Sequence, residues 1–536
     1  MLVGFYKFHI LGALFIGALA YFWSWVAWLL IPLAFTFTVG LYDTFQSRHT
    51  VRRNFPLVGR IRWAVEWLRP YVRQYLIESD LDGKPLSRMF RSIVYQRAKG
   101  ELDTNPYGTR MDTYQDGYEW ISHSIAARDV EELDSSPRIQ IGGKDCQQPY
   151  SASLLNISAM SYGALSHRAI EALNLGAKEG GFYHNTGEGG ISDYHLKHGG
   201  DLVWQIGTAY FGCRTSEGRF CPDTFADKAK LPSVKMIEIK LSQGAKPGHG
   251  GILPASKNNE EIARIRLVEA HQDVISPAAH TAFSTPRGLL EFVQKLRDLS
   301  GGKPVGFKLC VGRQSEFIAI CKAMVETGIR PDFITVDGGE GGTGAAPLEY
   351  SNSVGMPLRD GLAFVADCLR GFDLREEIRV IASGKVLSAF HMARSLALGA
   401  DLINCARGMM LALGCIHSLI CNTNRCPTGV TTQDPKLVRG LVIEDKAPRV
   451  ARFHKETLHA LVDITSSAGF GNPGEISRHH LHRRVDQHTV LRFDELYPYP
   501  DAGSFLQEPY PDCYSHHLKE ASADTFTPTS HVVHTH

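Results

Sequence analysis

Cys415, Cys421 and Cys426 place three thiols within twelve residues, in the stretch Cys415-Ile-His-Ser-Leu-Ile-Cys421-Asn-Thr-Asn-Arg-Cys426. Thiolates bind zinc and iron–sulfur clusters, and in pairs they form redox couples. Closed zinc sites and the common cubane clusters take four such ligands, whereas a redox pair takes two. A group of three leaves open a metal or cluster centre and three buried thiols in a loop. The remaining cysteines mostly stand singly in apolar runs, as Cys310, Cys321, Cys368 and Cys405 do. That is no disulfide framework, and it points to a reducing compartment.

A second set of residues suits anions. Lys240, Lys246, Lys308 and Arg266 would, if they converged, form a pocket fit for a flavin and a carboxylate substrate. Asp337-Gly-Gly-Glu-Gly-Gly-Thr-Gly-Ala-Ala-Pro347 contains Gly341, Gly342, Thr343 and Gly344. Residues 339–344 match G-x-G-x-x-G, but Pro347 stands where a dinucleotide-binding helix would run. The physical content survives: side-chain-free residues let backbone N–H groups approach a phosphate. Ser383-Gly384-Lys385 and Ala406-Arg407-Gly408 are similar glycine-bearing loops.

These groups need a frame that brings chain ends together. Short apolar runs alternate with capped helices from Leu154 onward. Strands are expected at Leu154–Ala159, Phe182–His184, Val234–Leu241, Asp273–Ile275, Val305–Cys310, Phe333–Val336, Arg379–Ala382 and Leu402–Cys405. Ser166, Thr285 with Pro286, and Ser388 open helices, while Gly180-Gly181, Gly328 and Gly399 close them. Eight strands, most followed by a helix, predict a parallel α/β fold, a closed (β/α)8 TIM barrel, with a doubly wound open sheet as runner-up. In a barrel, the chemistry belongs at the C-terminal ends of the strands.

From Phe8 to Leu41 no residue is charged, long enough for one transmembrane segment or two short ones folded at Trp23-Ser24-Trp25, with Pro32 kinking the second. Arg48, Arg52, Arg53, Arg60 and Arg62 follow, which predicts attachment to the inner (cytoplasmic) membrane with the catalytic domain facing the cytoplasm. The expected divisions are 1–42 membrane segment, 43–150 Arg-rich helical collar, 151–470 barrel with the cysteine loop, and 471–536 C-terminal extension. Val58–Arg73 has apolar residues at helical spacing with arginines between them, read either as a solvated helix or as one lying on anionic headgroups. Lys plus Arg (57) nearly equals Asp plus Glu (56), so bulk charge gives no case for a nucleic-acid partner. His479, His480 and His482, and His531, His534 and His536 in the tail, are assigned no role.

Residues 150–435 resemble the FMN-binding (synthase) domain of glutamate synthases. The resemblance rests on Ala159-Met-Ser-Tyr-Gly163, Asn185-Thr-Gly-Glu-Gly-Gly190, Gln243-Gly-Ala-Lys-Pro-Gly248, Gly341-Gly-Thr-Gly344 and the three-cysteine segment running into Thr431-Thr432-Gln433. The whole chain looks like the short, membrane-attached bacterial proteins of that superfamily. The resemblance implies an FMN barrel that reduces 2-iminoglutarate to L-glutamate, and a [3Fe–4S] cluster on Cys415, Cys421 and Cys426. Three thiolates without a fourth ligand fit such a centre. It also implies that Met160, Ser161, Thr186, Gln243, Lys308, Gly341, Gly342, Thr343, Gly344 and Gly384 surround the FMN. Lys246 and Arg266 would bind the 2-oxo acid carboxylates, and Glu188 would be the acid beside the substrate.

Three departures shape the expected function. No cysteine precedes Cys146, so glutaminase activity is not expected, and ammonia or an amine would be the nitrogen source. Ile252 stands where the family carries a glutamine whose amide touches substrate, which bears on the identity of the 2-oxo acid. No NAD(P)H-binding segment is evident, so ferredoxin or another protein electron donor is expected. The alternative is an FMN-barrel dehydrogenase or oxidase of a carboxylate, linked to the membrane electron chain.

Overall fold

The computed structural model describes residues 2–528, so the tail histidines His531, His534 and His536 lie outside the described residues. The chain divides into two compact units, residues 1–89 and 90–536.

In the first unit, Leu2–Phe22 and Leu30–Phe45 are α-helices joined through Trp23 and a 3-10 turn at Ser24–Leu29. They pack against each other: Phe5 stacks on Phe37 at 5.8 Å, and His9 Nε2 meets Thr36 Oγ1 at 3.1 Å. Leu14, Phe15, Trp25 and Phe35 point outward, each more than half exposed. Leu2–Phe22 and Ser24–Phe45 are both long and apolar enough to cross a membrane. Pro32 lies in the first turn of the second helix, beside the 3-10 segment, rather than inside it as a kink. Val58–Val72 forms a further helix, on which Ile61, Val65 and Leu68 are exposed.

In the second unit, eight parallel strands close into a barrel: β1 (Leu155–Ile157), β2 (His184–Asn185), β3 (Leu202–Ile206), β4 (Val234–Lys240), β5 (Val305–Leu309), β6 (Phe333–Asp337), β7 (Arg379–Ser383) and β8 (Leu402–Cys405). They follow one another round the ring in chain order, β8 closing onto β1. The following helices are α1 (His167–Gly180), α2 (Asp193–Leu196), α3 (Pro222–Ala229), α4 (Pro286–Leu299), α5 (Gln314–Thr327), α6 (Leu358–Gly371), α7 (Ala389–Ala397) and α8 (Arg407–Ala412). Ser166, Thr285 and Ser388 cap α1, α4 and α7 through side-chain acceptors, as the sequence predicts.

One expected strand is misplaced. The third barrel strand is Leu202–Ile206, whereas Val274–Ile275 pairs antiparallel with Ile252–Leu253 outside the barrel. Ile275 is exposed there, while Trp204 is fully buried. Gln205 disguises the true strand, since an amide in an apolar run reads as loop. It is buried because its Nε2 donates to Glu238 Oε2 at 2.6 Å.

Residues 43–150 carry helices at Thr50–Asn54, Val58–Val72 and Arg88–Lys99 and are mostly irregular after Lys99. Glu119–Ile121 joins Leu481–Arg484 and Val490–Arg492 in a small antiparallel sheet. A long helix, α9 (Ile443–Ser467), packs on α1, where His454 stacks on Phe182 at 4.0 Å. Arg478, fully buried, binds Asp367 of α6 at 2.7 Å and fastens the C-terminal extension.

Candidate functional site

The C-terminal ends of β2, β4 and β5 bring charge together. Lys240 and Lys308 are register partners on neighbouring strands, so both side chains point into the barrel. Below them, Glu238 accepts from Asn185 at 2.8 Å, Gln205 at 2.6 Å and Thr335 at 2.6 Å. Lys308 reaches Asp337 Oδ2 at 3.5 Å. Burial alone would depress its pKa, but Asp337 and Glu238 outweigh that and hold it above the ordinary lysine value.

Glu188 sits on a one-turn helix, Gly187–Gly189, directly after β2. Its Oε1 accepts from Lys240 Nζ at 2.7 Å. Burial would raise the carboxyl's pKa, yet Lys240, Arg266 and Lys246 together bring it below the usual carboxylate range. Glu188 therefore stays ionised. Lys246 is 2% exposed, and burial, helped by Lys240, lowers its pKa. Arg266, 5% exposed, donates from Nη2 to the Tyr162 carbonyl at 3.1 Å and lies near Ser161 Oγ at 3.4 Å. Burial brings its pKa down to about 10, and its Nε is buried without a partner. Lys240 thus pairs with Glu188 and Lys308 with Asp337, while among the described residues no carboxylate forms an ion pair with the buried Lys246 and Arg266.

The loop after β4 is fitted closely to the loop after β6. Gly244 N donates to Asp337 Oδ2 at 3.0 Å, and a Cβ at Gly244 would fall 1.7 Å from the Gly338 carbonyl oxygen. Gln243 flanks this contact, and Lys246 lies just beyond it. Gly342, Thr343 and Gly344 are exposed, and Gly384 follows β7 beside Gly338. Arg407, at the start of α8, comes up against Gly342 and donates to the Glu340 carbonyl at 3.4 Å. Its Nη1 is buried without a partner. Open glycine backbone beside an unpaired guanidinium nitrogen fits a phosphate group.

The cysteine segment follows α8. Lys257, 4% exposed, donates to the carbonyls of Cys421 at 2.9 Å, Thr431 at 2.8 Å and Ala164 at 3.3 Å. Burial pushes the Cys415 thiol up to about 11, to which Cys421 and Cys426 add, so the three sulfurs sense one another. Among the described residues, the His/Cys/Asp/Glu trio whose ligand atoms lie within 4.8 Å of one another is His516, His517 and Glu520. At least one pair of the three cysteine sulfurs therefore lies more than 4.8 Å apart, beyond the roughly 3.8 Å that tetrahedral zinc–sulfur bonds of about 2.3 Å require. The three thiols are free, and although burial would raise the Cys426 pKa, Thr428 and Thr431 lie against it and bring it below the ordinary thiol value.

The sequence-predicted residues fall into three groups. Glu188, Lys246, Arg266 and Ser161 meet at one place. Gln243, Gly341, Gly342, Thr343, Gly344 and Gly384 line the adjoining loops with Lys308 on β5 beside them, while Cys415, Cys421 and Cys426 share a third. Met160 is buried, and Thr186 spends its hydroxyl on backbone, donating to the Gly187 carbonyl and accepting from Gln205 N. Ile252 is 40% exposed in the short pair with Ile275, and its neighbour Gly251 packs on Glu188. Lysine and arginine patterns missed Glu238, Asp337 and Lys257. Glu238 had a legible signal, a charge interrupting the apolar run of β4.

A family profile described as a conserved region in glutamate synthase matches residues 92–471. The chain belongs to the glutamate synthase family. Among its relatives is the glutamate synthase large subunit-like protein YerD of Bacillus subtilis, 36% identical over 505 residues, covering 87% of this chain and 96% of that one. The archaeal glutamate synthase [NADPH] of Methanocaldococcus jannaschii is 34% identical, with 59% of each chain covered. The archaeal-type glutamate synthase [NADPH] of Thermotoga neapolitana is 30% identical, covering 78% of this chain and 80% of its own. This glutamate synthase relative is an oxidoreductase with a TIM-barrel core.

Proposed function

We propose that the protein aminates a 2-oxo acid reductively, with FMN and a [3Fe–4S] cluster as cofactors, ammonium as nitrogen source and electrons from a protein donor such as ferredoxin. The observation that carries this reading is the pair of buried cations, Lys246 and Arg266, that have no ion-pair partner among the described residues beside the Lys240–Glu188 pair. Such a site suits a dianion, so a 2-oxo dicarboxylate, 2-oxoglutarate or an analogue, is the substrate class.

Lys246 and Arg266 bind the carboxylates, their burial strengthening each charge-assisted hydrogen bond. Lys240 holds Glu188 in place. An ionised Glu188 favours the protonated form of the imine, which makes its carbon more electrophilic. Gly341–Gly344, Gly384 and Arg407 would hold the FMN phosphate, with Lys308 and Gln243 beside the ring system. When bound, the flavin supplies hydride to the imine carbon. Cys415, Cys421 and Cys426 would hold the cluster, which supplies a one-electron path from the donor. Ile252 offers no hydrogen bond, and it sets the distal end of this site apart from the amide-bearing pattern.

The helical hairpin would anchor the protein in the cytoplasmic membrane, with Val58–Val72 on anionic headgroups. Carbonate-resistant pelleting of the full chain, abolished by deleting residues 2–45, is the expected result; extraction by carbonate would contradict anchoring. The cofactor reading is tested by anaerobic reconstitution followed by absorbance, iron and sulfide analysis. About one flavin and three irons per chain are expected, and absence of both would sink it.

A further inference from the structure

Lys257 lies outside the cationic cluster, yet it joins that cluster's loop to the cysteine loop. An ammonium has three N–H donors, and Lys257 uses all three on carbonyls from separate chain segments, those of Ala164, Cys421 and Thr431. Among the described residues no carboxylate forms an ion pair with it. A buried cation answered only by carbonyls is costly unless another negative charge is near. Cys421 and Cys426 act on it electrostatically, and as thiolates they would supply negative charge beside it.

The connection continues on both sides. Ala164 belongs to the turn whose Tyr162 carbonyl and Ser161 hydroxyl meet Arg266. On the cysteine side, Gln433 Nε2 donates to Gly163 at 3.1 Å and Leu165 at 2.8 Å, and Asn424 Nδ2 donates to Ser256 at 3.1 Å. The cysteine loop is therefore fastened to the substrate turn twice, once by the charged Lys257 and once by the neutral Gln433. Loss of Lys257 removes a charge without freeing the loop.

We infer that Lys257 is a positioning residue for electron entry: it fixes the Cys421 and Thr431 backbone against the substrate turn and places a buried positive charge beside the cluster. This rests on the cluster reading above. A reduced cluster carries one more negative charge than an oxidised one, after taking a single electron from the protein donor. A fixed cation nearby stabilises the reduced form and raises the reduction potential, since net charge and hydrogen bonding set that potential.

The test is a redox titration of the reconstituted full chain, followed by electron paramagnetic resonance, in wild type, Lys257→Gln, Lys257→Arg and Gln433→Ala. Iron and sulfide are measured first, so a wild type that binds neither overturns the cluster reading itself. With the cluster present, Lys257→Gln is expected to lower the midpoint potential, Lys257→Arg to restore it in large part, and Gln433→Ala to leave it unchanged. A Lys257→Gln chain that stays folded but loses iron, while Gln433→Ala keeps it, also supports the charge requirement. Equal potentials in wild type and Lys257→Gln, or an equal fall in Lys257→Gln and Gln433→Ala, would overturn the inference.

Discussion

In the proposed reaction, Lys246 and Arg266 are the groups on which substrate affinity turns. Removing one charge-assisted contact costs about 1.5–3 kcal/mol, so Lys246→Ala is expected to lower kcat/KM for the 2-oxo acid roughly 10- to 150-fold, mostly through KM. Steady-state kinetics on flavin-loaded enzyme decide it, and an unchanged KM would remove Lys246 from the site. The pH dependence has a definite sign. Only the ammonium form binds carboxylate, and burial puts Lys246 below the ordinary lysine value of 10.5. Affinity for the 2-oxo acid should therefore fall on the alkaline side before pH 10.5, and a flat KM through that range would contradict the assignment. Glu188 and the two cations were legible from short motifs. Lys257 was not, because its carbonyl partners come from loops distant in sequence, and Glu238 showed only as a charge interrupting the apolar run of β4.

At the scale of elements, the loop after β4 decides whether the mouth forms. Gly244 leaves no space for a side chain beside the Gly338 carbonyl. Gly244→Ala must push apart the loops that carry Lys246 and Gly341–Gly344, so flavin retention after gel filtration should drop sharply while the circular dichroism spectrum persists. A variant with normal flavin content would show that the contact is dispensable. Seven of the eight barrel strands were legible from apolar runs and cap residues, since local chemistry alone defines them. Leu202–Ile206 was hidden because Gln205 is paired only in the folded barrel, and Val274–Ile275 mimicked a strand because its pairing is real but peripheral.

At the scale of the whole molecule, several histidines are buried in neutral form. Burial lowers His195, His391 and His454 to about 3 and His280 to about 4, against an ordinary value of 6.5. The unfolded chain binds these protons and the folded chain does not. Stability is therefore complete above about pH 6.5 and declines as pH falls toward the folded values, by about 1 kcal/mol per histidine at about pH 5.5. The thermal midpoint should fall between pH 7.5 and 5.5, and a constant midpoint would contradict this account. The apolar helical hairpin was legible as an uncharged run, whereas its two-helix packing depended on pairs such as His9 with Thr36 that span 27 residues.

The most direct measurement is an anaerobic assay of the reconstituted full chain with 2-oxoglutarate, using reduced ferredoxin or NADPH as donor and ammonium or glutamine as nitrogen source. The NADPH arm is included because relatives bear that cofactor in their names. Glutamate formed with ferredoxin and ammonium, not with glutamine, and lost together with the cluster signal in Cys421→Ser while FMN stays bound, is the predicted result. Glutamate formed only from glutamine, or a chain loaded with both cofactors that aminates no 2-oxo acid, would contradict it.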